Sequence, residues 1–318
     1  MTSKPVRIFF AADVHGSESV WRKWLSVPTF YQADIIIMAG DLTGKTVIPI
    51  IKNNGSYVTK AFGQEFKANN EKELETIKEK LLLGGSYPYV CTRKEVEEMK
   101  KSQDKVDDVF KQIVVENIKR WLTLVEEKVP RNVKVVVMPG NDDFFEIDEP
   151  IKNNRRVIYP LGKAVNLCFD YEMISLDYTN PTPWNSPREC SEETLMEKLK
   201  DTAKLVKVEW NKVICNFHCP PYATKLDQAP KLDKNLRPVF KLGSPEMVSV
   251  GSKSILRFIE EKQPLLGLHG HIHESAGSQQ IGKTLILNPG SEYGEGILKG
   301  MMLELDESRI KNWWAVSG

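Results

Sequence analysis

Short runs of apolar residues that end in polar, glycine-containing clusters recur along the 318-residue chain. Runs rich in β-branched residues and bounded by turn residues are typical of strands that are buried on both faces. Five segments have this pattern: VRIFFAADVHG, ADIIIMAGDLTG, NVKVVVMPGNDD, KVICNFHCPP and PLLGLHGHIHES. We therefore predict five buried strands, each followed directly by a polar loop.

Between these runs, apolar residues recur at the spacing of amphipathic helices. The pattern predicts helices at 17–25, 104–128, 189–208 and 252–262, and Ser17 is suited to cap the first of them. Strands that alternate with helices imply an α/β sheet with crossover connections. Two further segments, 163–179 and 278–316, alternate in part or carry glycine turns, which favours antiparallel strands.

Residues 45–103 interrupt this alternation. The segment begins with a predicted hairpin that turns at Asn54-Gly55 and continues with two predicted helices that have charged faces. We expect an inserted hairpin-plus-helix cap within a single domain that spans residues 1–318. Residues 180–250 are rich in proline, lysine and aspartate, and we expect a long loop region that lies over the site.

The composition is that of a globular protein, with 41% hydrophobic and 27% charged residues. The net charge of +1 gives no overall field that would attract nucleic acid or a membrane, although a local basic patch is compatible with it. The first apolar stretch is too short for a signal peptide, and no run has the length of a membrane span. Five scattered cysteines indicate reduced thiols in a cytoplasmic protein.

Residues that commonly bind metals follow every predicted buried strand. Four of the five histidines lie there, together with aspartates and an asparagine. Because the carboxyl ends of parallel strands meet at one edge of a sheet, these side chains should lie together. In D-x-H and H-x-H on an extended chain, both ligands project to the same side. The residues expected at this edge are Asp13, His15, Asp41, Asn141, Asp142, His218, His271 and His273.

Imidazole and carboxylate ligands together suit borderline divalent cations such as manganese, iron, zinc or nickel. Each motif alone has an ordinary explanation, as a turn, a capping residue or a buried histidine. Five motifs in succession, each after an apolar run, predict a metal centre. His269 is the remaining histidine, and we expect it to be a buried or supporting residue and not a ligand.

The motifs resemble those of the calcineurin-like metallophosphoesterase superfamily, whose pattern is D-x-H, G-D, G-N-H-[DE], H and G-H-x-H. They occur here in the same order as DVH, GD, GNDD, FH and GHIH. The resemblance covers residues 7 to about 295, except 45–103 and most of 180–250. It implies an α/β fold, a four-layer α/β/β/α sandwich of two mixed β-sheets flanked by helices.

The resemblance also implies a site for two divalent metal ions, with manganese favoured and iron, zinc, nickel or magnesium open. A metal-bridging hydroxide would attack a phosphomonoester or phosphodiester, so the expected partner is a small phosphate ester. The implied ligands are Asp13, His15 and His273 for the first ion, Asn141, His218 and His271 for the second, and Asp41 as the bridge between them.

One position departs from the family pattern. The family usually has a histidine after the asparagine and assigns that side chain to the leaving group, whereas this chain has Asp142. A carboxylate repels a phosphate unless it is protonated or bound to a metal. Either Asp142 is a proton donor with a raised pKa, or another residue performs this step. We expect a narrower or slower activity, above all with poor leaving groups.

Two other functions stay open. The first is a catalytically weak scaffold for protein interaction, which Asp142 would suit although every implied ligand is present. The second is a nuclease, but the near-neutral charge does not favour long polyanions. The oligomeric state cannot be inferred, and no membrane partner is expected. Candidate substrate contacts in the insertion and the long loop are Lys45, Arg188, Tyr222 and Lys225, and the NPGS turn at 288–291 should support the site from behind.

Overall fold

The computed structural model describes residues 4–318, so residues 1–3, at the start of the segment judged too short for a signal peptide, lie outside the described residues. The helices are α1 (Glu18–Tyr31), α2 (Glu71–Leu83), α3 (Arg93–Met99), α4 (Gln103–Lys128), α5 (Asp148–Asn153), α6 (Glu192–Ala203) and α7 (Lys253–Lys262). The first nine strands are β1 (Val6–Ala11), β2 (Ile35–Ala39), β3 (Thr46–Asn53), β4 (Ser56–Ala61), β5 (Gln64–Ala68), β6 (Ser86–Cys91), β7 (Lys134–Met138), β8 (Val165–Cys168) and β9 (Tyr171–Leu176). The others are β10 (Val213–Phe217), β11 (Gln228–Pro230), β12 (Phe240–Lys241), β13 (Ser244–Pro245), β14 (Met247–Ser249), β15 (Leu266–Leu268), β16 (Gly277–Ile281), β17 (Thr284–Asn288), β18 (Lys299–Leu305) and β19 (Ile310–Ser317).

Two mixed sheets form the centre of the fold. The first has the order β19-β18-β1-β2-β7, in which β1, β2 and β7 are parallel to one another, β18 is antiparallel to β1, and β19 is antiparallel to β18. The second has the order β16-β17-β15-β10-β9-β8, with four parallel strands between two antiparallel edge strands. The five predicted buried strands are β1, β2, β7, β10 and β15. Four of them are interior strands, and β7 is the parallel edge strand of the first sheet.

Three apolar cores join these sheets and helices into four layers. One core lies between the two sheets and includes Phe10, Ile37, Met173 and Ile214. A second core packs α1 and α4 on the outer face of the first sheet, and a third packs α6 and α7 on the outer face of the second sheet. Because β2 sends alternate residues into the first two of these cores, it is buried on both faces, as its unbroken apolar sequence predicts. The expected α/β/β/α sandwich is confirmed.

The insertion folds around a small core of its own. Strands β3 to β6 form a four-stranded sheet in the order β5-β4-β3-β6, and α2 packs on it through Leu74, Ile77 and Leu81. The hairpin turns at Asn54-Gly55, as predicted. Two hydrogen bonds join this unit to the loops that follow β1 and β2: Ser17 Oγ donates to Leu83 O, and Gly44 N donates to Tyr87 Oη.

Residues 180–250 contain more regular structure than the sequence indicates. Besides β10 they include α6, which is shorter than predicted and ends at Ala203. They also include a protruding unit of short strands at 228–249, which we call the arm. Among the described residues, no helix has the length and apolar character needed to cross a bilayer.

Candidate metal centre

The loops that follow the parallel strands have left-handed backbone at four of the expected ligands. The φ angles are 57° at Asp13, 40° at His15, 46° at Asp41 and 67° at His271. Residues other than glycine rarely adopt this conformation, and it costs free energy unless the surrounding structure holds it. β1 ends at Ala11 and β15 ends at Leu268, so neither the D-x-H nor the H-x-H motif lies on a strand. The two motifs are therefore not extended, contrary to the prediction, and tight turns bring their side chains together instead.

The first ligand group is closely packed. His15 Nε2 lies 3.1 Å from His273 Nε2, and His273 Nε2 lies 3.7 Å from Asp13 Oδ1. Asp13 and His15 are buried, whereas His273 is partly exposed. Ligand atoms of all three lie within 4.8 Å of one another, which is a separation that one ion can bridge.

The second group lies beside the first. His218 Nε2 is 3.1 Å from Asn141 Oδ1, and ligand atoms of His218, His271 and Asp41 lie within 4.8 Å of one another. The two oxygens of Asp41 face different groups, since Oδ1 lies 3.4 Å from His218 Nε2 and Oδ2 lies 3.6 Å from His15 Nε2. All seven side chains expected as ligands are thus brought to one place, with Asp41 in the middle.

Two glycines leave the space that this convergence needs. A Cβ atom at Gly40 would lie 1.9 Å from His218 Nδ1, and one at Gly270 would lie 2.6 Å from Asp13 Oδ2. Both distances are far below van der Waals contact, so any side chain at either position would displace a ligand. The glycines in the G-D and G-H-x-H motifs therefore serve steric needs of the site.

The electrostatics of the site are those of a cation-binding cluster. Burial lowers the pKa of His15 to about 3 and that of His271 to about 4, which keeps both imidazoles neutral. Burial acts in the same direction on His218, but the charges of Asp41 and Asp13 outweigh it and raise the pKa of His218 to about 9. Burial opposes the ionised form of Asp41, yet the neighbouring histidines hold its pKa well below the usual range.

These features fit two divalent ions. The neutral imidazoles of His15 and His271 and the ionised carboxylates are in the protonation states that ligate metals. The buried Asp13 and Asp41 draw positive charge onto His218, and a bound cation would supply that charge instead. The Nε2 atoms of His15 and His218 face other members of the site, whereas their buried Nδ1 atoms have no hydrogen-bond partner among residues 4–318.

Several residues hold the ligand loops, and the sequence analysis missed two of them. Asp143 is fully buried and accepts hydrogen bonds from the backbone N–H groups of Gly140, Leu42 and Thr43 and from the Thr43 hydroxyl, which ties the loop after β7 to the loop after β2. Its place as the final residue of GNDD was the available signal. Asn141 Nδ2 donates to Ser186 Oγ over 2.7 Å, which leaves the Asn141 Oδ1 atom directed at His218. No sequence pattern identifies Ser186.

The expected supporting residues lie behind the site. Ser291 Oγ donates to Asp13 O over 2.7 Å, and Asn288 Nδ2 donates to Ile272 O over 3.0 Å, between the two ligands of the H-x-H motif. His269 is fully buried, and its Nδ1 lies 2.8 Å from Phe217 O and 3.0 Å from Cys219 O, the carbonyls on either side of His218. His269 thus positions the His218 loop, in agreement with the supporting role expected from the sequence.

Asp142 lies at the mouth of the site in an ion pair with Lys45. Its backbone N–H donates to Asp41 Oδ1 over 2.9 Å, and one of its carboxylate oxygens lies within 4.8 Å of ligand atoms of His15 and Asp41. Burial and the charge of Asp41 raise the pKa of Asp142 to about 6, although Lys45 opposes this. Tyr293, which the sequence analysis also missed, packs against the rings of His15 and His273 at centroid distances of 4.6 and 5.7 Å.

The other candidate substrate contacts do not lie among these side chains. The prediction that Arg188 contacts a substrate was wrong, because its side chain is 1% exposed and all of its N–H groups donate hydrogen bonds within the protein. It pairs with Asp148 and Asp177 and donates to the Asp143 and Phe144 carbonyls, so no donor remains for a substrate. The Lys253 ammonium lies over the Tyr222 ring in a cation-π contact, and Lys225 is exposed. Substrate contacts by Tyr222 and Lys225 stay predictions.

Comparisons with known proteins agree with this fold. No protein-family profile matches the chain. An uncharacterised protein of Methanocaldococcus jannaschii, MJ1162, is 32% identical over 160 residues, which is 49% of this chain and 64% of that protein. One crystal structure aligns with a TM-score of 0.57 at 18% identity, covering 96% of this chain and 98% of its own. The crystal structure of TT1561 of Thermus thermophilus aligns with a TM-score of 0.54 at 14% identity, covering 99% and 98% of the two chains.

The two aligned structures span nearly the whole of this chain. This chain therefore shares its overall fold, two mixed sheets between flanking helix layers, with these two crystal structures.

Proposed function

We propose that this protein is a dinuclear metal-dependent phosphoesterase that hydrolyses small phosphomonoesters or phosphodiesters. The observation that carries the proposal is the position of Asp41, whose two carboxylate oxygens face two separate groups of histidines. A carboxylate so placed could hold two ions at once, as carboxylates do in two-metal hydrolases.

The chain supplies ligands for both ions. Asp13, His15 and His273 would hold the first ion, and Asn141, His218 and His271 would hold the second. Ions bound there would activate a water molecule as the nucleophile and neutralise charge on the phosphate oxygens. We favour manganese, because mixed imidazole and carboxylate ligands suit borderline divalent ions, while iron, zinc, nickel and magnesium remain alternatives. The five free cysteines support a cytoplasmic location.

Asp142 and Lys45 would govern the side of the site where the substrate enters. Lys45 neutralises the Asp142 carboxylate, so the repulsion expected between that carboxylate and a phosphate is reduced. When a phosphate arrives, its oxygens would compete with Asp142 for the Lys45 ammonium. The phenol ring of Tyr293 would form the opposite wall, since it covers His15 and His273.

The test combines metal content with hydrolysis. Protein stripped with a chelator and reconstituted separately with manganese, nickel, zinc and magnesium is analysed by mass spectrometry for bound metal. The same samples are assayed with nitrophenyl phosphate, bis-nitrophenyl phosphate and cyclic nucleotides. We expect about two ions per chain and hydrolysis that depends on them. Protein that binds no metal, or that binds two ions and hydrolyses none of these substrates, would favour the interaction-scaffold alternative.

A substitution at position 142 separates the two accounts of the departure from the family pattern. Asp142→His places the family's usual residue there, and Asp142→Asn removes the carboxylate without adding a proton donor. If the leaving group is poorly served in this chain, Asp142→His should raise turnover of an alkyl phosphate about tenfold and change nitrophenyl ester turnover little. Higher alkyl phosphate turnover in Asp142→Asn would show that Asp142 is not the proton donor.

A further inference from the structure

The arm, residues 228–249, protrudes from the fold as a small unit of antiparallel strands. β11 pairs with β14, β12 pairs with β13, and backbone bonds such as Lys231 N to Glu246 O at 2.7 Å continue the ladder between them. Its base is anchored, because Gln228 N donates to Ser275 Oγ and the Asp227 carboxylate accepts from Gly251 N. Beyond this base, residues 233–238 and 240–245 are all exposed.

Large apolar side chains are concentrated on this exposed unit. The exposed fractions are 48% for Leu236, 64% for Phe240, 100% for Leu242 and 45% for Met247. Together they are four of the eleven large hydrophobic side chains that are exposed in the described part of the chain. Exposed apolar side chains clustered in this way mark a surface that contacts a partner or a membrane.

Each of the two turns of the arm has a leucine at a position with positive φ, a backbone conformation that leucine rarely adopts. Leu242 has φ 53° and precedes Gly243 in a two-residue turn, and Leu236 has φ 59° in the turn that begins at Asp233. Positions with positive φ in such turns favour asparagine, aspartate or glycine. A leucine there adds backbone strain and exposes an apolar side chain, so neither local stability nor solubility explains it.

Two other hairpins of the same chain show what the usual solutions are. The turn between β3 and β4 has Asn54 before Gly55, with φ angles of 42° and 86°. The turn between β4 and β5 has Phe62 before Gly63, with φ angles of 51° and 72°, and the Phe62 ring lies over Gly84. Asn54 suits the backbone and Phe62 has a neighbour to pack on. Leu242 has neither advantage.

Cations surround these apolar residues. The arm carries Lys231, Lys234, Arg237 and Lys241 against Asp233 and Glu246, which gives a net charge of +2. Within the arm, the Lys231 ammonium pairs with both carboxylate oxygens of Glu246. Among the described residues, Lys234, Arg237 and Lys241 have no ion pair, so three cations are free beside the exposed leucines and phenylalanine.

We propose that the arm docks on an anionic lipid surface, with Leu236, Phe240 and Leu242 entering the interface and Lys234, Arg237 and Lys241 contacting acidic headgroups. Apolar side chains beside lysine and arginine form the combination that binds such surfaces. A bilayer needs no complementary shape, so the apolar side chains on the two turns and the short strand of the arm can enter it together. This inference departs from the expectation of no membrane partner, which rested on the net charge of the whole chain.

The arm also has a defined relation to the candidate metal centre. Its two ends join the segments that directly follow His218 and precede α7, and its first residue bonds to Ser275, two residues beyond His273. Docking would therefore hold the metal centre close to the lipid surface. The docking inference does not depend on the proposed hydrolysis, because vesicle binding is measured without a substrate.

The experiment is co-sedimentation of the full chain with vesicles of phosphatidylcholine alone and of phosphatidylcholine with phosphatidylglycerol. Three cations near an anionic surface should give about a hundredfold preference for the anionic vesicles at low salt. The preference should decline steeply as salt is raised to about 0.5 M. The paired substitution Leu236→Asn and Leu242→Asn should reduce anionic vesicle binding about tenfold or more, since it removes both tip side chains and suits the turn backbone.

The matched control is Phe62→Asn, which makes a similar change in the X-Gly turn of the insertion and should leave vesicle binding unchanged. Circular dichroism and thermal unfolding check that each variant is folded. The proposal is overturned if the intact chain shows no preference for anionic vesicles, or if the double asparagine variant binds them as well as the intact chain does. It is also overturned if the leucines instead support self-association in lipid-free ultracentrifugation, since the arm would then dock on a second copy.

Discussion

The loops of the metal centre and the turns of the arm share a strained backbone but differ in what surrounds it. Asp13 and Asp41 have left-handed φ angles, are at most 2% exposed and are held by several hydrogen bonds each. Leu236 and Leu242 have the same backbone but are exposed, and Leu242 is completely so. At the buried aspartates, the surrounding fold maintains the strained backbone, and this backbone points the carboxylates into the candidate site. Strain at exposed apolar residues leaves side chains available for contact outside the molecule.

Loss of the Asp41 carboxylate, the proposed bridge, should have the largest effect. Asp41→Asn removes the negative charge shared by both ligand groups, so we expect hydrolysis to fall about a thousandfold, together with a loss of bound metal. The metal-free variant should remain folded, since the substitution removes one of several neighbouring carboxylates that repel one another. Steady-state kinetics and metal analysis measure the effect, and Asp201→Asn on the exposed face of α6 is the matched control.

A variant Asp41→Asn that keeps two ions and most of its activity would show that Asp41 is not a bridge. The left-handed backbone at Asp41 would then have no connection with metal binding, and the contrast between the metal-centre loops and the turns of the arm would be lost.

The second largest effect should be on stability. Arg188→Met leaves Asp148 and Asp177 without their buried partner and removes two bonds to backbone carbonyls. We expect the free energy of unfolding to fall by about 3–5 kcal/mol, measured by urea denaturation. Arg257→Met breaks an exposed i,i+4 pair with Glu261 on α7, and its effect should be about 0.5 kcal/mol or less. Equal effects at the two positions would contradict the buried role of Arg188.

A smaller, pH-dependent effect is expected at Glu18, three residues after His15. Burial alone would raise its pKa, but hydrogen bonds from Arg120 and Trp121 hold the pKa of Glu18 below its ordinary value of 4.5. Its ionised form therefore stabilises the fold fully above pH 4.5, and this contribution is lost as the pH falls through the lower folded-state pKa.

Glu18→Gln should cost about 1–3 kcal/mol at pH 7. The difference between the variant and the natural protein should diminish in urea denaturations carried out progressively below pH 4.5. A difference that stays constant down to pH 3 would show that the charge of Glu18 does not contribute.

The smallest effect should come from the arm. Leu242→Asn replaces a side chain that contacts nothing and suits the left-handed backbone better, so stability should stay the same or rise by about 0.5 kcal/mol. Thermal unfolding measures the change. A clear loss of stability would mean that Leu242 packs on the fold in solution, and the contrast between arm and metal centre would disappear.

Strand positions were predictable because their cause is local. An unbroken apolar run such as Ile35–Ala39 can only be satisfied between two layers, and the polar residues that follow must lie at the sheet edge. The conformation of those loops was not predictable. The turns at Asp13 and His271 are left-handed because partners far away in sequence hold them, as Ser291 holds Asp13 and Asp13 holds the His271 N–H.

The same limit explains the residues that were misjudged or missed. Arg188 resembles a surface cation in sequence, and only the fold brings Asp148 and Asp177 to it. Ser186 orients Asn141 across 45 residues, and Tyr293 reaches His15 from near the other end of the chain. Contacts of this kind are set by topology, whereas hydrophobic periodicity reports only the local environment of each residue.

The Tyr87 hydroxyl accepts the Gly44 N–H at 2.8 Å, and Leu83 accepts the Ser17 hydroxyl at 3.1 Å. These bonds join the insertion to the Ser17 hydroxyl, two residues after His15, and to the Gly44 N–H, three residues after Asp41. A shortened chain that lacked residues 46–91 would leave these groups without partners and remove a brace from the metal loops. The insertion thus supports the candidate metal centre, and we expect that trimming the protein to its two sheets would disturb the centre itself.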